Sequence, residues 1–231
     1  MSPSAAFADH FDGHRLRLIR KPARTSEADG SVGGVEVMRI ADGLWRWTTA
    51  HPEWRPGGGW DEEVGCVYWE ADDAVVLVDP LVPIETGERS RFLDALDRDV
   101  ERVGRPVVVL LTCEWHERSA AELSERYGGR TQGRGPGRLP TGVVAVSCPS
   151  AHELVYWLEG PGAVVCGDVL LGRESSLALC PESWIESGTR AELARELRPL
   201  LDLPVERVLT SHGAPVLARG GDALTRVLAP A

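Results

Sequence analysis

Reactive side chains follow an apolar segment near the middle of the chain. Residues 106–111 are apolar enough to predict a buried strand, and Cys113, His116 and Glu117 come directly after it. A loop that leaves a buried strand and enters a helix is a common place for binding and catalysis. Because the ordinary pKa of histidine lies near neutrality, His116 is a candidate proton carrier, and Glu117 is the other candidate catalytic residue.

Three later strand-like segments lead into a histidine or an aspartate in the same way. These residues are His152, Asp168 and His212, and an earlier apolar strand ends at Asp79. In this order the landmarks resemble the metallo-β-lactamase superfamily, with residues 113–118 at the place of its His-x-His-x-Asp-His motif. The resemblance covers roughly residues 35–229 and is that of a divergent member.

The resemblance implies an α/β fold, an αββα four-layer sandwich in which helices flank two mixed β-sheets. The periodicity of the chain predicts two hairpins first, and then strands and helices that follow one another. The predicted strands are residues 35–40, 44–49, 66–70, 74–79, 106–111, 143–146, 153–158, 163–166 and 205–210. The predicted helices are residues 86–103, 117–127, 188–201 and 220–229, and residues 128–141 are predicted as a loop.

The four signature positions of the family motif carry unusual residues here. They are Cys113, Trp115, Glu117 and Arg118. An indole cannot ligate a metal, and a guanidinium is always charged and costly beside a divalent ion. The resemblance therefore implies a degenerate site that lacks the dinuclear zinc centre of the family.

The resemblance still leaves His152, Asp168 and His212 at ligand positions, with Cys113 or Glu117 as a further ligand. Two histidines and one carboxylate are enough to hold a single divalent metal, which would be zinc, iron or manganese. Without a metal, the same three residues would form a hydrogen-bonded polar cluster.

Arg118 has two alternative roles in this interpretation. It would either pair with Asp168 and replace the charge of the missing metal, or point to solvent from a helix start.

Tryptophan is the other unusual feature, with eight residues against three each of Phe and Tyr. Trp45 and Trp47 alternate along a predicted strand and are expected in the core. Trp54 and Trp60 lie in a Gly/Pro-rich loop, and with Trp115 and Arg118 they are candidates for a pocket that binds a small-molecule ligand. The alternative use of these indoles is a homo-oligomer interface.

Composition limits the partners and the compartment. The net charge of −10 argues against nucleic acid or an anionic membrane as a partner. Five cysteines, an odd number without C-x-x-C spacing, favour a cytoplasmic location. Residues 1–34 predict a flexible N-terminal arm, which contains a basic stretch at 14–24, so the domain is expected at residues 35–231.

Two functions follow from these observations, and the sequence leaves open which one holds. The first is a protein with a degenerate metal site that binds a small ligand or a partner. The alternative is a divergent metal-dependent hydrolase of an ester, thioester, lactone or phosphodiester, which uses a single metal held by His152, Asp168 and His212.

Overall fold

The computed structural model describes residues 34–135, 137–174 and 176–229. Residues 1–33 of the predicted N-terminal arm lie outside the described residues, so the arm stays a prediction. No helix among the described residues is long and apolar enough to cross a membrane.

A six-stranded mixed sheet comes first in the chain. In spatial order its strands are β1 (Glu36–Ala41), β2 (Leu44–Ala50), β3 (Glu63–Glu70), β4 (Val75–Val78), β5 (Val107–Leu110) and β6 (Arg130–Gln132). Strands β1 to β4 pair antiparallel, whereas β5 pairs parallel with both β4 and β6. Strand β6 lies inside the predicted loop 128–141. Its three residues are polar and at the sheet edge, so they carry no apolar periodicity that would predict a strand.

The second mixed sheet has four strands, and a separate hairpin follows them. In spatial order the sheet contains β12 (Arg207–Thr210), β9 (Ala163–Cys166), β8 (Glu153–Leu158) and β7 (Val143–Cys148). Strand β12 pairs parallel with β9, and the other neighbours pair antiparallel. The hairpin of β10 (Leu170–Arg173) and β11 (Ser176–Leu179) was not predicted from the sequence.

Within residues 34–229, as far as they are described, four α-helices complete the fold: α1 (Thr86–Val103), α2 (Ala120–Arg126), α3 (Arg190–Glu196) and α4 (Gly220–Leu228). The predicted helix 188–201 is interrupted, since α3 ends at Glu196 and residues 198–202 form a 3-10 turn. Pro199 accounts for this change, because proline cannot continue an α-helix.

Three buried apolar layers separate the helices and sheets. The first joins α1 and α2 to the first sheet, where the rings of Trp47 and Phe92 lie 5.3 Å apart. The second lies between the two sheets and includes Leu110 and Tyr156. The third joins the second sheet to α3 and α4. The predicted αββα sandwich is therefore confirmed.

The two sheets meet at the edge where the candidate residues lie. The amide of Gly65 donates to the carbonyl of Ser211 at 2.7 Å, and the amide of Leu154 donates to the carbonyl of Thr112 at 2.7 Å. These bonds hold the segments that follow β5 and β12 against the opposite sheet. The carboxyl ends of four strands, β4, β5, β9 and β12, are thereby brought together.

Candidate metal centre

His116 is buried between two carboxylates. It ends a 3-10 turn that follows β5, and its Nδ1 lies 2.9 Å from Asp79 Oδ2 and 3.0 Å from Thr112 Oγ1. Its Nε2 lies 3.3 Å from Asp168 Oδ1. An ionised carboxylate only accepts hydrogen bonds, so the contact with Asp79 places a proton on Nδ1. In the neutral ring, Nε2 therefore carries the lone pair, and it faces Asp168.

Asp79 is held rigidly where β4 ends. Its Oδ1 accepts from the amide of Thr112 at 2.8 Å, and its Oδ2 accepts from the Thr112 hydroxyl at 2.6 Å. Asp79 has a φ of 47°, a left-handed conformation that is uncommon outside glycine. Its carboxylate thereby fixes the orientation and tautomer of the His116 ring.

The groups around His116 have opposite effects on its pKa. Burial and the charge of Arg118 lower the pKa of His116, but the carboxylates of Asp79 and Asp168 outweigh them and hold this pKa well above its usual value. The positive form of the ring is thus strongly favoured when nothing else neutralises the two carboxylates.

Asp168 has one satisfied oxygen and one unsatisfied oxygen. The indole N–H of Trp115 donates to Oδ2 at 2.7 Å. Oδ1 is buried and lies 3.1 Å from His212 Nε2 as well as 3.3 Å from His116 Nε2, yet neither contact is aligned as a hydrogen bond. His212 is itself buried, and its Nδ1 has no hydrogen-bond partner in the part of the chain that the structure describes.

Cys113 completes a compact group of donor atoms. Among the described residues, its sulfur, a nitrogen of His116 and an oxygen of Asp168 all lie within 4.8 Å of one another. Burial raises the pKa of Cys113 to about 12, although His116 opposes this effect. The thiol is therefore a poor nucleophile near neutral pH, and deprotonation would require a strong local positive charge such as a metal ion.

Gly167 allows these side chains to approach. A Cβ atom at this position would lie 2.4 Å from Thr112 Oγ1 and 3.0 Å from His116 Cε1. The first distance is too short for a methyl group and the second is tight, so glycine is the residue that permits the turn before Asp168 to pack against the segment that follows β5.

Aromatic rings surround His212. Trp60 and Trp184 each contact the His212 ring edge to face, with centroid distances of 5.7 and 5.9 Å. Trp54 donates its indole N–H to the carbonyl of Trp60 at 2.9 Å and so supports the loop. The ring of His51 also contacts Trp60, at a centroid distance of 5.2 Å, and burial followed by the charge of Arg118 lowers the pKa of His51. Of the two loop tryptophans expected in a pocket, Trp60 is the one that contacts a candidate ligand.

Arg118 follows neither of the roles expected from the sequence. Its guanidinium donates to the carbonyl of Asp79 at 3.0 Å and to the hydroxyl of Ser211 at 2.8 Å. It therefore does not pair with Asp168 and does not extend into solvent. Instead it ties the segments after β4 and β12 to each other behind the donor group.

Removal of this link should destabilise the protein. We expect Arg118→Ala to lower the free energy of unfolding by about 2 kcal/mol, since hydrogen bonds from charged groups are lost and buried oxygens are left unpaired. Urea unfolding would measure the change, with the exposed Arg134→Ala as the control. A loss below about 0.5 kcal/mol, typical of surface substitutions, would contradict the structural role.

Two of the sequence candidates lie apart from the donor group. His152 has a φ of 52°, its side chain is 47% exposed, and its Nδ1 lies 3.4 Å from Glu186 Oε2. Glu117 is exposed as well. Trp115 is 47% exposed, so it does not fill a buried metal position, although it does occupy one oxygen of Asp168.

Glu153 is an important residue that was not singled out from the sequence. It is fully buried and accepts hydrogen bonds from the amides of Gly167, Asp168 and Val169. Burial and the nearby Asp168 raise its pKa to about 8. One signal was available: in β8, Glu153 alternates in phase with Val155 and Trp157, whose side chains are in the core.

Comparison with solved structures identifies the fold. A metallo-β-lactamase from Erythrobacter litoralis matches with a TM-score of 0.56 and 16% identity, over 86% of this chain and 92% of that chain. The metallo-β-lactamase FIM-1 from Pseudomonas aeruginosa, in its mono-zinc form, matches with a TM-score of 0.54 and 13% identity. The metallo-β-lactamase DIM-1, exposed to ceftazidime, matches with a TM-score of 0.54 and 10% identity. Each of these two matches covers 86% of this chain and 98% of the other chain. No family model and no curated protein sequence matches. The chain thus has the metallo-β-lactamase fold, as the resemblance implied.

Proposed function

We propose that this protein is a hydrolase that uses a single divalent ion of the zinc class, bound by His116, Asp168 and His212, with Cys113 as a further ligand. One observation carries the proposal. Asp168 Oδ1 is buried between two imidazole Nε2 atoms and lacks an aligned hydrogen bond to either. A buried carboxylate oxygen without hydrogen bonds is costly unless a positive charge satisfies it.

The spacing of these atoms fits a metal ion. Two ligands at about 2.0–2.1 Å from zinc in tetrahedral geometry lie about 3.3 Å apart. Asp168 Oδ1 lies 3.1 Å from His212 Nε2 and 3.3 Å from His116 Nε2. Both imidazole nitrogens therefore lie at ligand spacing from Asp168 Oδ1. Among the described residues, the donor atoms that all lie within 4.8 Å of one another are those of Cys113, His116 and Asp168, so His212 would join the site by a movement of its side chain.

The contacts outside the donor group support the same proposal. A metal-binding histidine usually donates its other ring N–H to a carboxylate, which fixes its tautomer. His116 has this partner in Asp79, at 2.9 Å from its Nδ1. Nitrogen, oxygen and sulfur donors together favour zinc over magnesium or manganese. FIM-1, one of the structures with the same fold, was crystallised in a mono-zinc form.

We expect one ion rather than two. Trp115 already donates to Asp168 Oδ2, which leaves Oδ1 as the free oxygen of this carboxylate. The guanidinium of Arg118 is close enough to act on the pKa of His116, and a second cation in that place would be repelled.

The chain's own residues would orient the reaction. A bound ion of this class supplies a Lewis acid and lowers the pKa of a bound water to about 7. Asp79 holds the His116 ring, and Trp60 and Trp184 restrict the rotation of His212 and exclude water from it. An ester, thioester or lactone fits better than a phosphodiester, because Arg118 donates to protein oxygens instead of a ligand.

One observation favours a second candidate, a metal-free protein that binds a small ligand. The carboxylates of Asp79 and Asp168 hold the pKa of His116 well above its usual value despite burial and Arg118. A positively charged His116 would then partly replace the charge of a metal.

Hydrolysis of a substrate panel tests the proposed activity. We expect turnover of at least one ester, thioester or lactone, loss of turnover after treatment with a chelator, and recovery on addition of zinc. The His116→Ala variant is the control for contaminating hydrolases, and it should stay inactive with zinc. Turnover that persists in the chelator, or in His116→Ala, would contradict a metal-dependent reaction at this site.

Cobalt substitution tests the role of Cys113. A thiolate bound to Co²⁺ gives an intense charge-transfer band in the near ultraviolet, which nitrogen and oxygen ligands do not give. We expect this band in the cobalt-loaded protein and its loss in Cys113→Ser, while Cys180→Ser, another buried cysteine, should keep it. A cobalt complex whose band is unchanged by Cys113→Ser would exclude this sulfur as a ligand.

A further inference from the structure

Glu153 is a fully buried carboxylate that the proposed chemistry does not use directly. Its Oε1 accepts from the amide of Gly167 at 2.7 Å, and its Oε2 accepts from the amides of Asp168 and Val169 at 2.8 and 3.0 Å. Three consecutive backbone N–H groups thus converge on one side chain. Such a concave set of amides favours the ionised form of a carboxyl group, and here the hydrogen bonds from Asp168 and Gly167 oppose the effect of burial on the pKa of Glu153.

These hydrogen bonds continue from the point where the backbone pairing between β8 and β9 ends. Strands β8 and β9 pair antiparallel from Leu158–Ala163 to Tyr156–Val165. Beyond this point β8 stays paired with β7, but on its other side the amide of Leu154 donates to the carbonyl of Thr112 in the segment that follows β5. Where the hydrogen bonds between β8 and β9 end, the carboxyl oxygens of Glu153 accept from the amides of residues 167–169 in place of backbone carbonyls.

The turn held by Glu153 carries Asp168. On its other side, Gly167 packs closely against Thr112 Oγ1 and His116 Cε1. The carboxylate of Glu153 therefore sets how far the backbone of Asp168 lies from His116. A shift of the turn would change the spacing of 3.1 and 3.3 Å between Asp168 Oδ1 and the two imidazoles.

We propose that Glu153 is a positioning residue for the metal centre: it fixes Asp168 Oδ1 against His116 and His212 through the three amides of the turn, and so determines the affinity for zinc. This inference rests on the proposed function. Partners outside the ligand shell typically change metal affinity by about 10–100-fold when they are removed. Glu153 differs from such partners in acting through the backbone of a ligand instead of its side chain.

The Glu153→Gln variant tests the proposal. It keeps the shape of the side chain, but its NH2 group must face at least one of the three amide N–H groups, so that hydrogen bond is lost. We expect the Kd for zinc, measured by competition with a chromophoric chelator, to rise by about 10–100-fold. The matched control is Glu159→Gln, an exposed glutamate one residue beyond the other end of β8, which should bind zinc as the wild-type chain does.

A second measurement separates positioning from general stability. A purely structural role would lower the urea midpoint of the metal-free protein and leave the Kd of the folded protein unchanged. The Glu153→Asp variant covers the case in which Glu153→Gln does not fold. It keeps the carboxyl group but shortens the side chain by one methylene, and we expect the Kd for zinc to rise in this variant as well.

The outcomes distinguish this inference from the proposed function. Wild-type protein that binds zinc, with a Kd unchanged within twofold in the folded Glu153 variants, overturns the positioning role alone. Wild-type protein that binds no zinc overturns the proposed function and this inference together.

Discussion

His116→Ala should weaken zinc binding by at least about 100-fold, which is more than the removal of a partner outside the ligand shell typically costs. The substitution removes the Nε2 that faces Asp168 Oδ1 at 3.3 Å. It also leaves Asp79 without its imidazole partner. Zinc content after dialysis, and Kd by chelator competition, would measure the loss.

His152→Ala is the matched control for this experiment. His152 is a histidine of the same sheet edge, but its side chain is half-exposed and faces Glu186. We expect its removal to leave the zinc affinity within about twofold of the wild-type value, as for other surface substitutions. Loss of zinc in His152→Ala, with retention in His116→Ala, would reverse the assignment and favour the ligand set implied by the sequence resemblance.

Gly172→Ala should lower the free energy of unfolding by about 3 kcal/mol, the upper end of the usual cost of overpacking. A Cβ atom at this position would lie 1.9 Å from the carbonyl oxygen of Ala214, and backbone cannot move aside as a flexible side chain can. The amide of Gly172 also donates to the carbonyl of His212 at 2.9 Å. The substitution should therefore reduce zinc affinity together with stability.

Gly135→Ala provides the control, because no described residue other than its chain neighbours has an atom within 4 Å of a Cβ at that position. Urea unfolding should show a change below about 0.5 kcal/mol for this variant. Equal stability of the two variants would mean that the close approach of Gly172 to the Ala214 backbone is not maintained in solution.

The main elements of the fold were predictable because their residues obey simple periodicities. Helix α1 extends over Thr86–Val103 as its apolar spacing predicts, and the apolar strands lie in the interior. The missed elements are β6 and the hairpin of β10 and β11. These strands have three or four residues each. Strand β6 pairs with β5, which is distant in the sequence, whereas β10 and β11 pair with each other across a short turn.

The candidate site was predictable as a set of strand ends but not as a set of ligands. The order of landmarks indicated the loops that carry Asp79, Asp168 and His212, and the structure brings these loops together. The motif register, however, placed His116 between ligand positions. A 3-10 turn at 114–116 decides where that side chain points, and no periodicity predicts such a turn.

The surface position of the His152 side chain and the hydrogen bonds of Glu153 could not be predicted, because both depend on backbone conformation and not on residue type. The left-handed backbone of His152 accompanies a side chain that faces Glu186 at the surface. Glu153 has a partner set made only of backbone amides, which the sequence does not mark. Its phase with the core residues of β8 was the one available indication.

Metal analysis of the wild-type chain, purified without added metal, tests the central claim most directly. We predict about one equivalent of a zinc-class ion per chain by inductively coupled plasma mass spectrometry, removed by a chelator and restored by zinc. A chain that is purified without metal, and takes up no zinc, cobalt or iron at micromolar concentration, would contradict the account. The group of Asp79, His116, Asp168 and His212 would then be an ion-pair cluster alone.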